Sequence, residues 1–289
     1  MYTMIYMGTY NPKISECVAN FKDIYLAGVI LDDTLSENEL IENRLWLQSK
    51  NIRELKFEDI STLNPNVIFL CGYTKLLKTT LLDEYLFVNV HAGILPKWRG
   101  KNANCWAILN GEKHVGYTLH RVREGMDNGE IFDITEVELG EEESYSSARE
   151  RIKNIFCSKL EATFLKILCG KNSGRTQQES DIVYTCKLRA SDAVITNWNY
   201  PSSYIIGLFR VFGSGVFINI RQKSYKILKM TLAKEIASSI GIPGAVINRY
   251  ADGSVLIKSS DTAVKLCELE DSNGSRILPS EILKIGMRL

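Results

Sequence analysis

Asn89 and His91 stand two residues apart where an apolar run gives way to a Pro- and Gly-bearing loop, in NVHAGILPKWRG, residues 89–100. Further along, Asp127 occupies the middle of GMDNG, residues 125–129. A side-chain amide donor and a titratable imidazole suit a carbonyl whose oxygen becomes negative as a nucleophile adds to it. A carboxylate beside an imidazole orients the ring and favours its charged form, so His91, ordinarily near about 6.5, is expected to hold a proton at neutral pH. None of the three is a side-chain nucleophile, so the attacking atom has to come from a substrate. Taken singly, each has a plain structural use: Asn at a strand end, His as a satisfied polar group, Asp in a Gly-flanked turn. Their joint placement at strand and loop ends is what points to a site.

The elements that must bring them together are legible in outline. TMIYMG, YLAGVILDD and NVIFLCG are short apolar runs that end in Gly or Asp, as strands buried on both faces do. Between the second and third, SENELIENRLWLQSK places Leu40, Ile41, Arg44, Leu45 and Gln48 at helical spacing behind a Ser and Glu start that can cap a helix. Strands alternating with helices imply parallel βαβ units, whose ligands gather beyond the carboxyl ends of the strands. FVNVHAG is a fourth strand, so Asn89 and His91 lie at its carboxyl end and project to one side. The stretch GKNANCWAILNGEKHVGYTLHRV suits one helix and one strand, which would return Asp127 beside the fourth strand. EIFDITEVEL then reads as a strand and SYSSARERIKNIFCSKLEATFLKILCG as a long amphipathic helix. KNSGRTQQES, residues 171–180, is polar and aperiodic and marks a boundary. Beyond it come a helix, PSSYIIGLFRVF, and five short strands with Gly, Asp and Ser turns, which suggest a small antiparallel barrel or sandwich. The expected organisation is a catalytic α/β domain over 1–180, a joining segment over 181–200 and a β-rich domain over 201–289.

Composition removes several classes. The 289 residues carry 35 Lys and Arg against 34 Asp and Glu, so bulk charge implies no nucleic-acid partner. Seven cysteines are scattered without a CxxC pair or zinc spacing, as in a reduced cytoplasmic protein, and no metal is expected. No run approaches about 18 consecutive apolar residues and no basic segment precedes the first strand, so no membrane partner is expected. The first strand is followed by GTYNPK rather than GxGxxG, and no GxSxG elbow occurs, which sets aside dinucleotide binding and serine hydrolysis.

NVHAGILPKWRG followed by WAILNGEKHVGYTLHRVREGMDNGEI resembles the signature of the folate-dependent formyltransferases, the family that includes the methionyl-tRNA and phosphoribosylglycinamide enzymes. YTCKLRASDAVITNWN, IIGLFRVF and IPGAV are similar to the joining segment and barrel-like C-terminal domain of the methionyl-tRNA type. The resemblance implies an α/β fold: an N-terminal Rossmann-like formyltransferase domain with a parallel-rich sheet, plus a small C-terminal β-rich, barrel-like domain. It implies attack by a primary amine on the formyl carbon of N10-formyltetrahydrofolate, with Asn89 and protonated His91 sharing the oxyanion charge. Asp127 would orient His91 and help relay the amine's proton. Leu70, Cys71, Gly72 and Tyr73, with Gly93, Ile94, Leu95 and Pro96, would shape the pterin pocket, mainly through backbone groups.

RGKNANCW resembles the Arg-Gly-x-Asn-Pro segment before a Trp in nucleotide-sugar N-formyltransferases, with Ala103 where those have Pro. Arg99, Gly100, Asn102, Asn104 and Trp106 are accordingly candidates for the acceptor. LDDTLSENELIENR is acidic where a tRNA-formylating enzyme should carry a basic insertion. The implied acceptor is therefore a nucleotide-linked amino sugar, a dTDP-linked amino-dideoxyhexose of lipopolysaccharide O-antigen biosynthesis, handled by a cytoplasmic homodimer. Methionyl-tRNA, an amino-acid or hydroxyornithine amine, and water, as in a formyltetrahydrofolate hydrolase, are the alternatives.

Overall fold

The computed structural model describes residues 1–180, 182–233 and 241–289. The chain divides into two compact units, each drawn from separate stretches of sequence. The first comprises Met1–Asn104, Val115–Val137 and Arg149–Thr185. Its strands are β1 (Tyr2–Gly8), β2 (Ile24–Leu31), β3 (Val67–Cys71) and β4 (Phe87–His91), followed by β5 (Trp98–Gly100), β6 (His114–Arg121), β7 (Ile131–Glu138) and β8 (Val183–Thr185). Six form one sheet in the order β2-β1-β3-β4-β6-β7. β1, β2, β3 and β4 are mutually parallel neighbours, and β6 runs antiparallel to β4.

Every residue of β3 is buried, as its unbroken apolar run predicts for a strand covered on both faces. Its helices are α1 (Pro12–Ala19), α2 (Glu37–Ser49), α3 (Asp59–Leu63), α4 (Thr79–Glu84) and most of α6 (Tyr145–Leu168), while α5 (Ala103–Leu109) starts in this unit and continues in the second. α1 went unread in the sequence, although Asn11 caps it and Pro12 opens it.

Two details depart from the sequence reading. α2 begins with the expected capping box of Ser36 and Glu39, but it buries Asn43, Trp46 and Leu47 and leaves Ile41 and Leu45 exposed. Trp46 decides the face: it stacks on Tyr10 at 5.2 Å, packs near Tyr6, and its Nε1–H donates to Glu16 at 3.1 Å. A large ring with a satisfied polar edge outweighs two smaller aliphatics. The second departure is the parallel pair β5–β8, Trp98↔Val183 to Gly100↔Thr185, formed by segments that carry no strand periodicity.

The second unit comprises Cys105–His114, Glu138–Ala148 and Cys186–Leu289. It holds β9 (Val194–Ile195), α7 (Ser202–Phe212), β10 (Phe217–Ile220), β11 (Lys223–Leu232), β12 (Val246–Arg249), β13 (Val255–Lys258), β14 (Ala263–Glu270), β15 (Arg276–Ile277) and α8 (Pro279–Ile282). The seven strands form a sheet in the order β12-β13-β14-β11-β10-β9, with β15 on β14. Among the described residues its strand pairings are antiparallel except β9 with β10. Ile205, Ile227, Val255, Ile257, Val264, Leu266, Leu269 and Leu283 are fully buried in its core. Among the described residues no helix is long and apolar enough to cross a membrane.

Candidate active site

The antiparallel register of β4 with β6 places Asn89 opposite His120 and His91 opposite Thr118. Directly opposed side chains on one face meet, and here Asn89 Nδ2 lies 3.0 Å from His120 Nε2. The Nδ1 of His120 lies 2.8 Å from the Arg121 carbonyl, which can only accept, so Nδ1 carries a hydrogen. Nε2 of the same ring faces both the Asn89 amide and the Asp127 carboxylate. Asn89 itself is half-buried, while His120 is 2% exposed.

Asp127 reaches this pair from a tight turn. Its φ is +50°, a left-handed conformation that Asp tolerates better than most residues. Gly129 makes the turn possible, since a Cβ there would fall 1.9 Å from the Arg121 carbonyl oxygen. The carboxylate lies between two imidazoles: Oδ2 is 3.3 Å from His91 Nδ1 and Oδ1 is 3.4 Å from His120 Nε2. The Gly100 amide donates to Oδ2 at 2.9 Å. Burial by itself would raise the Asp127 carboxyl, but His120, His91 and that amide outweigh it and hold the pKa at about 2.

His91 corrects an expectation. Its burial is nearly complete and lowers its pKa below the usual value, more than the Asp127 carboxylate raises it, while His120 lowers it further. The resting ring is neutral at pH 7 rather than protonated. Its Nε2 lies 2.6 Å from the Trp98 carbonyl and so carries the hydrogen, which leaves the Nδ1 lone pair facing Asp127. A lone pair beside a carboxylate is a proton-accepting site, because a proton placed there is at once shared with a fixed negative charge.

The loop after β4 is built around these rings. A Cβ on Gly93 would stand 2.6 Å from His91 Nε2, so glycine lets the loop pass close to the imidazole. Thr118, fully buried, donates to the Gly93 carbonyl at 2.7 Å and accepts from the Leu95 amide at 3.1 Å. Ile94 and Pro96 are half-buried within the loop it clamps, and Leu95 is 1% exposed. On the neighbouring strand Leu70 pairs in register with Asn89. Cys71 follows it, buried, with its thiol pushed up to about 11 by desolvation, and Gly72 turns the chain at φ +71° toward half-buried Tyr73.

The acceptor candidates fare unequally. Gly100 stands at the site through its amide. Arg99 is 4% exposed, and its Nε and Nη2 donate to Gln177 Oε1 at 3.2 and 2.8 Å, which makes it a brace inside the fold. Asn104 is 1% exposed and exchanges two hydrogen bonds of 2.9 Å with the backbone of Gly116, so its amide holds the start of α5 against β6. Asn102 is exposed at φ +57° just before α5. Trp106 belongs to the second unit, where its Nε1–H donates to the Cys186 carbonyl at 2.8 Å.

Sequence reasoning missed His120, Thr118 and Gln177. The first two carried a signal, since the periodicity of β6 puts every second residue on one face opposite Asn89 and His91. Among the described residues no three His, Cys, Asp or Glu side chains gather to hold a metal ion.

Residues 28–160 match the formyl transferase family and residues 187–285 match the formyl transferase C-terminal domain. A methionyl-tRNA formyltransferase of Caldanaerobacter subterraneus is 27% identical over 235 residues, covering 80% of this chain and 72% of that one. The N-formyltransferase of Helicobacter canadensis, solved with folinic acid and dTDP-3-aminofucose, superposes with a TM-score of 0.69 at 17% identity, over 92% of this chain and 99% of that one. WlaRD, a sugar 3N-formyl transferase solved with dTDP and 5-N-formyl-THF, gives 0.67 at 18% identity, over 94% and 98% of the two chains. At those identities the two structures share the fold with this chain.

Proposed function

We infer, for a chain that belongs to the folate-dependent formyltransferase family, that it moves a formyl group from N10-formyltetrahydrofolate to the primary amine of a nucleotide-linked amino sugar. One observation carries this: Asn89, His91, His120 and Asp127 converge at one end of a parallel-rich sheet with a neutral imidazole and an ionised carboxylate. The thiol at the end of β3, Cys71, is buried and too weak an acid to serve as a nucleophile at pH 7. The attacking atom is therefore the acceptor's nitrogen.

The donor's formyl carbonyl is met by an N–H of the Asn89 amide, which His120 Nε2 holds in place from 3.0 Å. As the amine adds, negative charge grows on the formyl oxygen and the nitrogen becomes acidic. Asp127 is the more exposed partner, 16% against 6% for His91, and takes the first contact with that proton. His91 Nδ1 is the more basic site behind it and is where the proton comes to rest. The ring thus becomes cationic only as the oxyanion forms, which places its charge in the transition state and not in the ground state. Collapse expels the folate nitrogen, which recovers a proton from the same relay. The strand end Leu70–Tyr73 and the clamped loop 93–96 are the parts of this chain that fit a pterin edge, through main-chain groups held rigid by β3 and Thr118.

The sugar acceptor, in its finest form a dTDP-linked amino-dideoxyhexose, is supported by the whole-length match to folds of sugar N-formyltransferases and by the acidic segment after β2. Methionyl-tRNA is the second acceptor to consider, because the curated relatives carry that name and Lys and Arg outnumber Asp and Glu over residues 187–289. The purified chain is incubated with the formyl donor and, separately, a dTDP-linked 3- or 4-amino sugar, methionyl-tRNA, or no acceptor. Formylated sugar supports the first acceptor and formylated methionyl-tRNA replaces it with the second. Formate released without any acceptor marks a hydrolase.

A further inference from the structure

Gln177 lies in the polar, aperiodic segment 171–180, yet it is only 8% exposed and every polar atom of its side chain is engaged. Its Nε2 donates to the carbonyls of Asp127 and Gly129, at 2.8 and 2.7 Å. Its Oε1 accepts from Nε and Nη2 of Arg99, at 3.2 and 2.8 Å, and the third arm of that guanidinium reaches the Tyr184 hydroxyl at 3.4 Å. Arg99 and Tyr184 are paired in register across β5 and β8.

We propose that Gln177 is a positioning residue: by holding both carbonyls of the left-handed Asp127 turn from a guanidinium-anchored amide, it fixes the direction in which Asp127 meets His91. The inference rests on the site described under the proposed function.

The physical case follows from the turn's conformation. Asp127 at φ +50° is not a preferred state for a residue with a Cβ, and the turn has to be held from outside. Within it, Asn128 Nδ2 donates to the Glu124 carbonyl at 2.6 Å, which closes the loop on its exposed side. On the buried side both inward carbonyls point at one amide group. Rotating that turn would carry Oδ2 away from His91 Nδ1 and from the Gly100 amide together, and a displacement of about 1 Å at such a site is enough to cost about a hundredfold in rate. Glutamine is the side chain that suits this place: two donors for two carbonyls, and one acceptor for a bidentate arginine.

The test separates positioning from mere structural support. Gln177→Glu keeps the shape and the acceptor for Arg99 but removes both donors, and Gln177→Met removes them without adding charge. Both are expected to lower kcat at least tenfold while the KM values for amine and formyl donor stay within about threefold. In Asp127→Asn, adding Gln177→Met should cost less than about threefold more, since the two act through one group. The His91 imidazole, followed by NMR titration in the full chain, faces Asp127 and His120. Its midpoint should move down in Gln177→Met, as in Asp127→Asn, and stay in place in Gln178→Met at the exposed neighbouring position.

Wild-type kcat in both Gln177 variants, or an unmoved His91 midpoint in Gln177→Met, overturns the proposal. So does a rate loss that multiplies in full with that of Asp127→Asn. If the wild-type chain formylates no acceptor offered, the proposed function fails on its own, and the His91 titration still decides the role of Gln177.

Discussion

Both units of this chain carry partly exposed ion pairs, such as Arg44 with Glu54 in the first, but the first also gathers buried ionisable groups from distant segments. In the second, ionisable side chains pair with near neighbours on the rim of an apolar sheet: Lys226 with Glu270 directly across β11 and β14, Arg276 with Glu268, and Lys265 with Asp252. These are partly exposed pairs laid over a fully buried core. Even the buried Lys258 spends its ammonium group on the Asp261 and Thr262 carbonyls of its own hairpin. In the first unit, His91, His120 and Asp127 come from a strand, its antiparallel neighbour and a turn, and they converge where water is largely excluded. Charges paired locally at a surface add little to stability and take no part in chemistry. Buried groups drawn together from distant parts of the chain have no such bland explanation, and they mark the end of the sheet where we propose that formyl transfer takes place.

Substitutions can break this contrast. Asp127→Asn is expected to lower turnover by about a hundredfold to ten-thousandfold while the chain stays folded, and Asn89→Ala by about a hundredfold to a thousandfold. Steady-state rates with circular dichroism as the folding check decide it, and near-normal rates in either variant remove the proposed chemistry. In the second unit, Leu266→Ala is expected to cost about 2 to 5 kcal/mol of stability through the cavity it leaves, with kcat per folded molecule unchanged. Denaturant unfolding alongside the rate assay measures both.

The pH dependence sharpens the comparison. Asp127 has its folded pKa depressed to about 2 from an ordinary 3.8, so its contribution is present above about 3.8 and is lost as pH falls through about 2. That shift corresponds to about 2 kcal/mol, and the stability gap between wild type and Asp127→Asn should narrow over that window. His91 is also depressed, so the unfolded chain takes up its proton first and stability declines as pH drops below 6.5. A neutral proton acceptor further requires kcat/KM to fall as pH drops through the His91 pKa. A rate that instead rises on acidification would restore a resting imidazolium. The smallest effect belongs to the surface pair: Lys226→Ala should change stability by about 0.2 to 1 kcal/mol and leave turnover alone.

How much was legible beforehand varies with the range of the interaction. The buried strands β1, β2, β3 and β4 announce themselves as short apolar runs, and the α2 capping box is written in Ser36 and Glu39. Asn89 and His91 could be placed at a strand end because the side-chain period of a strand is local. The buried face of α2 could not, since Trp46 won it by meeting Tyr10, Tyr6 and Glu16 from other elements. Arg99 and Asn104 were reasonable candidates for a ligand by type, and only their burial and partners show that Gln177 and Gly116 already occupy them. Gln177 gave no sign at all, because nothing in RTQQES distinguishes a clamp from a solvated linker.

On its own, the amino-acid order determined the alternation of strand and helix, the change of texture after residue 180, and the presence of an amide, an imidazole and a carboxylate able to handle a carbonyl. These follow from neighbours along the chain, which sequence displays directly. The tertiary structure alone decided that His120 completes the group, that His91 rests neutral and that Asp127 is held near pKa 2. Each of those depends on register between strands and on how completely water is removed, and neither quantity exists until distant segments have packed.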